Sequence, residues 1–172
     1  MKIYFLILIL FVSIAMAQAS QQPYADKLEH IFTTYLPLKE GVIYTKVPRG
    51  LVISIDEKVF FSNGEIKIKQ TSLPILDIMA DILKNLPNEF VIENHTTEIP
   101  NVYSPYKENW ELSIARASNL VQYFTVYKKL SPDKITSLGL AEYVPYRYKT
   151  KNINFDLNNR IDFVIIEYEA MR

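Results

Sequence analysis

The chain has 172 residues, with 19 Lys or Arg against 19 Asp or Glu and no cysteine. Its length suits one domain with a single core, and its apolar fraction of 49% is that of a folded globular protein. A formal net charge of zero argues against nucleic acid as a partner, because phosphate binding depends on a surplus of Lys and Arg. The lack of cysteine excludes disulfides, thiolate metal sites and cysteine nucleophiles.

The N-terminal residues have the three parts of a secretory signal. Lys2 precedes a nearly unbroken apolar run over residues 3–17, which ends in small residues. Ala15 and Ala17 fit cleavage before Gln18, whereas Ala17 and Ala19 fit cleavage before Ser20. Because a membrane-spanning helix needs roughly 20 apolar residues, we expect a cleaved signal peptide over residues 1–17. The chain is then expected to be exported, without an integral membrane segment after cleavage.

The first half of the remaining chain predicts one lead-in segment and the start of a domain. Residues 18–47 are mixed in character, and apolar residues between Leu28 and Leu36 recur at the spacing of a single helix. The domain is expected over residues 48–172. Its first strand is predicted over residues 50–55, followed by a turn at residues 62–65 and a helix over residues 73–83.

The second half continues the alternation of strand and helix. We predict a strand over residues 90–93, a polar loop over residues 96–108 and a helix over about residues 109–129. Two further strands are predicted over residues 134–140 and 160–166. The order β-α-β-α-β-β predicts an α/β sandwich, in which two main helices lie on one face of a small mixed sheet.

Four short motifs occur within these elements, at residues 94–97, 109–117, 139–145 and 158–162. In their order and residue types they resemble the peptidoglycan-binding domain shared by OmpA, Pal and the stator protein MotB. The resemblance extends over roughly residues 49–168. Trp110 in the second motif makes the predicted helix most similar to the MotB branch.

The resemblance implies a specific function for these motifs. Domains of this family hold peptidoglycan noncovalently through the diamino acid of its stem peptide: an aspartate contacts the ammonium group and an arginine the carboxylate. Arg116 stands at the arginine position, and Asn109 is expected to be the N-cap of the same helix. The candidate ligand-binding residues are Arg116, Asn109, Thr97, Glu98, Asn158 and Arg160.

The chain departs from the family pattern at four positions. Asn94 and Ala141 stand where the family has glycine, and the other two departures change charged groups. The family's aspartate falls on Thr97, and the first of its two tandem arginines falls on Asn159. A charge-assisted hydrogen bond contributes about 1.5–3 kcal/mol and a neutral one about 1 kcal/mol, so ammonium binding is expected to weaken roughly tenfold. Glu98 is a candidate for the missing anion if its loop shifts. The structural alternative is that Arg116 pairs with Glu111, Glu93 or Glu98 as a salt bridge.

A second function remains open. In this alternative the protein has kept the fold but acts as an adaptor that binds another envelope protein. Tyrosines are enriched at protein interfaces, and several lie in the predicted loops: Tyr103, Tyr106, Tyr143, Tyr146 and Tyr148. For both functions we expect a periplasmic protein, either free or held at the outer membrane by a partner that binds its lead-in segment.

Catalysis and cofactor binding are not expected. His95 with Glu98 supplies too few ligands for a metal site, and neither a phosphate-binding loop nor a nucleophile elbow occurs. Asp56 and Glu57 are expected to be solvated.

Overall fold

The computed structural model describes residues 24–38, 40–100, 105–146 and 157–167. These residues form the strands β1 (Val42–Val47), β2 (Gly50–Asp56), β3 (Glu89–His95), β4 (Ile135–Gly139) and β5 (Arg160–Ile166). They also form three helices, α1 (residues 24–35), α2 (Leu73–Lys84) and α3 (Asn109–Gln122). The sheet order is β1-β2-β5-β3-β4; β3 and β4 are parallel and the other neighbours antiparallel. This mixed α/β architecture confirms the predicted fold class.

Strand β1 was not among the predicted elements. It pairs antiparallel with β2, from Val42 opposite Ile55 to Val47 opposite Gly50. Its side chains are half-buried, apart from the exposed Lys46, rather than alternately buried and exposed. The period-two pattern that marks a half-buried strand is therefore absent from this part of the sequence.

Helix α1 belongs to the same hydrophobic core as the sheet. Leu28, Phe32 and Leu36 are buried there together with side chains of β2, α2 and α3. The described part of the predicted lead-in segment is thus packed against the sheet. The predicted signal peptide, residues 1–17, lies outside the described residues. None of the helices in the described ranges has the length and apolarity needed to cross a membrane.

The two faces of the sheet have different chemistry, because successive side chains of a strand point to opposite faces. The helix side carries the core residues Ile53, Ile92 and Phe163. The opposite face carries polar side chains, among them Glu93 and Asp162, which stand opposite each other in the register of β3 and β5.

Helix α3 lies directly on β4 because Gly139 has no side chain. A Cβ atom at this position would lie 2.4 Å from the backbone nitrogen of Ile114, a distance that no packed structure tolerates. After Gln122 the chain continues in a π-helical turn, Tyr123–Tyr127, so most of the predicted segment of residues 109–129 is helical. Arg116 lies on the same helix, so this close packing sets its distance from the sheet.

Candidate functional site

Arg116 is fully buried, and protein groups surround its guanidinium. Nη1 donates to Glu57 Oε2 at 2.8 Å, and Nη2 donates to Glu98 Oε2 at 2.9 Å. Two backbone carbonyls complete the shell: that of Glu65 accepts from Nε at 2.8 Å, and that of Ser62 accepts from Nη2 at 3.0 Å. The predicted ligand-binding arginine is therefore the centre of an arginine triad, Glu57–Arg116–Glu98.

The Glu57 carboxylate is a fixed part of the triad, and the expectation that it is solvated was wrong. It is 1% exposed and lies in the short 3-10 turn after β2, Glu57–Val59. Its oxygens also accept from Asn94 Nδ2 at 3.1 Å and from Thr96 Oγ1 at 2.9 Å. Burial raises the pKa of Glu57, although the charge of Arg116 opposes that rise.

Glu98 is the partner of Arg116 that reaches solvent. Its side chain is 16% exposed, against 1% for both Glu57 and Arg116. Its Oε2 atom accepts from the backbone N–H of Gly64 at 3.1 Å as well as from Arg116. Of the salt bridges considered for Arg116 in the sequence, the structure shows the one to Glu98.

Thr97 and Asn158 come together on the lining of one small cleft. Thr97 is exposed, and both its backbone N–H and its hydroxyl donate to Asn159 Oδ1, at 2.7 and 3.1 Å. The cleft has a volume of about 200 Å³ and is lined by Thr97, Ala141, Glu142, Val144, Pro145 and Asn158. Thr97 and Asn159 are thus in contact. They are the two departures that replace charged residues of the family pattern, an aspartate and an arginine, by neutral ones.

Asn109 is the first residue of helix α3 and not its N-cap, so that prediction was wrong. The N-cap is Glu108, which has an extended backbone. The carboxylate of Glu111 accepts from the backbone N–H groups of Lys107, at 2.6 Å, and Glu108, at 3.0 Å. With these two hydrogen bonds the N-cap is Glu108, one residue before the predicted N-cap Asn109.

Arg160 lies on the opposite face of the sheet and is not brought together with Arg116. It is 4% exposed; its Nε donates to Asp162 Oδ2 at 2.9 Å and its Nη1 to the carbonyl of Leu157 at 2.7 Å. Its guanidinium also lies over the ring of Tyr146, 5.2 Å from the centroid. Arg160 therefore links strand β5 to Leu157, just before the strand, and to the ring of Tyr146.

His95 lies in the same cluster on that face. Its Nε2 atom is 3.2 Å from Asp162 Oδ2 and 3.8 Å from Glu93 Oε2. Burial by itself lowers the pKa of His95, but these two carboxylates outweigh it and hold the pKa above 6.5. Arg49 and Arg160 pair with the same carboxylates, at 3.0 and 2.9 Å. Glu93, His95 and Asp162 offer three ligand atoms within 4.8 Å of one another, but Arg49 and Arg160 already pair with the two carboxylates.

Sequence reasoning located Arg116 but missed most of its surroundings. Glu57 and the carbonyls of Ser62 and Glu65 come from a segment more than 50 residues earlier in the chain. The one local indication that Glu57 is buried was its position between the apolar strand β2 and the buried pair Phe60 and Phe61.

The fold and the site together define a class of protein. It is a two-layer α/β domain whose last main helix, α3, carries a buried arginine. The family model of the OmpA family matches residues 60–158, more than half of the chain, and the chain therefore belongs to the OmpA family.

Individual relatives agree with this assignment. The uncharacterized protein YtxE of Bacillus subtilis is 32% identical over 148 residues, which cover 84% of this chain and 61% of YtxE. Motility protein B of the same organism is 27% identical over 141 residues, which cover 81% of this chain and 50% of that protein. The chain thus spans between half and two thirds of the length of these relatives.

A solved structure confirms the fold. A MotB-like protein from Desulfovibrio vulgaris has a TM-score of 0.72 at 21% identity, covering 91% of this chain and 99% of that chain. The resemblance to OmpA-like and MotB-like domains inferred from the motifs is confirmed.

Proposed function

We propose that the protein binds peptidoglycan noncovalently through the diamino acid of the stem peptide, with Arg116 as the partner of the ligand's carboxylate. The proposal includes export by the N-terminal segment and a periplasmic location peripheral to the outer membrane. The motifs and the family support the ligand class. The geometry around Arg116 supports the mode of binding.

The observation that carries the proposal is that a carboxylate is already bound at this site. Two N–H donors from separate segments, Arg116 Nη2 and the Gly64 amide, converge on a single carboxylate oxygen. A guanidinium with a neighbouring amide is a strong receptor for a carboxylate, because the hydrogen bonds are charge-assisted. The occupant in the described structure is Glu98, and the proposed occupant in the complex is the ligand.

The ammonium side of the proposed site is weak. Thr97 Oγ1 and Asn159 Oδ1 are neutral acceptors, and the latter already accepts from the backbone and the hydroxyl of Thr97. Thr97 and Asn159 thus offer the ligand's ammonium oxygens without a formal charge, and Glu142 is the acidic side chain on the lining of the cleft. Asn158 lines this cleft, and Asn109 is the first residue of helix α3.

Restoring the family's charge at Thr97 tests the proposal. Thr97 is exposed, so Thr97→Asp and the matched neutral variant Thr97→Asn should both fold. In cosedimentation with purified sacculi, Thr97→Asp is expected to bind about tenfold more tightly, because a charge-assisted bond replaces a neutral one. Thr97→Asn should bind like the wild type. Equal retention of all three proteins would contradict the proposed site.

A second function, an adaptor for another envelope protein, is favoured by exposed apolar side chains near the same loops. Ile99 is 78% exposed, Tyr143 72% and Trp110 51%. Tyr106 and Tyr146 are half-buried, and Tyr103 and Tyr148 lie outside the described residues. If Trp110→Ala abolishes crosslinks to a defined envelope partner while sacculus binding is unchanged, this second function is supported. Sacculus binding without any crosslinked partner would argue against it.

A further inference from the structure

We propose that Glu98 is an internal competitor for the binding site: its carboxylate occupies the position of the ligand's carboxylate, and the ligand must displace it. This inference rests on the proposed function, which it extends by adding a closed and an open form of the same site. In the closed form, which the structure shows, Glu98 lies on Arg116 and on the amide of Gly64.

Arg116 is inaccessible in the closed form. It has 0% exposure, and of the three side chains in the triad only Glu98 reaches solvent. A carboxylate from outside therefore cannot contact Nη2 unless Glu98 moves. Glu98 belongs to residues 96–100, which follow β3 and have no regular secondary structure, so its displacement breaks neither a helix nor a strand.

The two carboxylates of the triad differ in how firmly they are held. Glu57 is 1% exposed, and Asn94 and Thr96 donate to it in addition to Arg116. Among the described residues, the donors to the Glu98 carboxylate are Arg116 and the amide of Gly64, and both bind the same oxygen. Glu98 is therefore the replaceable partner and Glu57 the permanent one.

Exchange of Glu98 for a ligand leaves the buried charges balanced. Arg116 keeps Glu57 at 2.8 Å throughout, so no buried ion loses all its partners, which is the costly event in such clusters. The ligand supplies one carboxylate for the one that leaves. Its apparent affinity is the intrinsic affinity multiplied by the fraction of molecules in the open form.

The competitor role and the alternative role of Glu98 predict opposite effects of the same substitution. If Glu98 binds the ligand's ammonium, as the sequence allowed, then removing its charge weakens binding. If Glu98 competes with the ligand's carboxylate, then removing its charge strengthens binding. Glu98→Gln is the appropriate change because it keeps the size of the side chain. Glu40→Gln is the matched control, since Glu40 is exposed and the change in net charge is the same.

The experiment is a titration of the purified wild type, Glu98→Gln and Glu40→Gln with soluble muropeptides whose diamino acid carries a carboxylate on its side chain. Muropeptides that contain lysine, which lacks this carboxylate, provide the ligand control. Glu98→Gln is expected to bind the first ligand about tenfold more tightly, for a closed form favoured about ten to one in the wild type. Binding of lysine-containing muropeptides should not improve. Thermal unfolding of each variant shows that it is folded.

The outcomes separate the inference from the proposed function. Weaker binding by Glu98→Gln overturns the competitor role and places Glu98 at the ammonium, while the proposed function stands. Unchanged binding by Glu98→Gln, together with tighter binding by Thr97→Asp, overturns the inference alone. No binding by the wild type, Glu98→Gln or Thr97→Asp overturns both.

Discussion

Replacing Arg116 by methionine tests how strongly the fold depends on the arginine triad. Methionine fills part of the space but leaves Glu57 buried without its cation, and the carbonyls of Ser62 and Glu65 without their donor. Removing one partner of a buried ion pair costs about 3–5 kcal/mol. Because burial already raises the pKa of Glu57, this carboxyl should take up a proton in the variant. The loss of stability is therefore expected to be smaller at acid pH.

The assay is urea unfolding of the wild type, Arg116→Met, Glu57→Gln and the double variant, followed by circular dichroism. The double variant should be more stable than Arg116→Met, because it no longer has the buried carboxylate. The four proteins form a double-mutant cycle, which gives the interaction free energy between Arg116 and Glu57. A loss of less than about 1 kcal/mol in Arg116→Met, which is typical of a surface salt bridge, would refute the reasoning. The expected loss also means that weak sacculus binding by an Arg116 variant is informative only if the variant is folded.

Three further predictions concern the fold and its pH dependence. The raised pKa of His95 means that its stabilising contribution is complete below about pH 6.5 and is lost as the pH rises through the folded-state pKa. The difference in unfolding free energy between the wild type and His95→Gln should therefore shrink as the pH rises above about 6.5, and a constant difference would contradict this prediction. Gly139→Ala should lower stability by about 1–3 kcal/mol, measured by thermal melting, because the new Cβ would lie 2.4 Å from Ile114 N; an unchanged melting temperature would show that α3 is free to move. Phe32→Ala should cost about 3–5 kcal/mol in urea unfolding, since Phe32 is 0% exposed in the core; a stability equal to the wild type would show that α1 does not belong to this fold.

Most of the fold followed from patterns that are local in sequence. The apolar run of β2 and the helical spacing in α2 gave the prediction of each element directly. Strand β1 was not predicted because its side chains are almost uniformly half-buried. Its place at the sheet edge depends on pairing with β2, and a pairing partner has no signature within the strand itself.

The site could be predicted only in part, because its members come from distant segments. The motif around Arg116 identified the arginine, and Glu98 was among its considered partners. Glu57 is 59 residues away along the chain, and no spacing rule joins the two. Arg160 shares a motif with Asn158, yet its place in β5, opposite His95, turns its side chain to the other face of the sheet.

The central claim is that Arg116 and Gly64 form the carboxylate receptor of the ligand. It is tested most directly by nitrogen-15 NMR of the purified protein during titration with a soluble muropeptide. Ligand binding at this receptor should produce saturable shifts of the Arg116 Nε–H and the Gly64 amide, together with the Thr97 amide, at the ligand concentration at which binding saturates. Saturable binding that leaves the Arg116 and Gly64 signals unchanged would contradict the account.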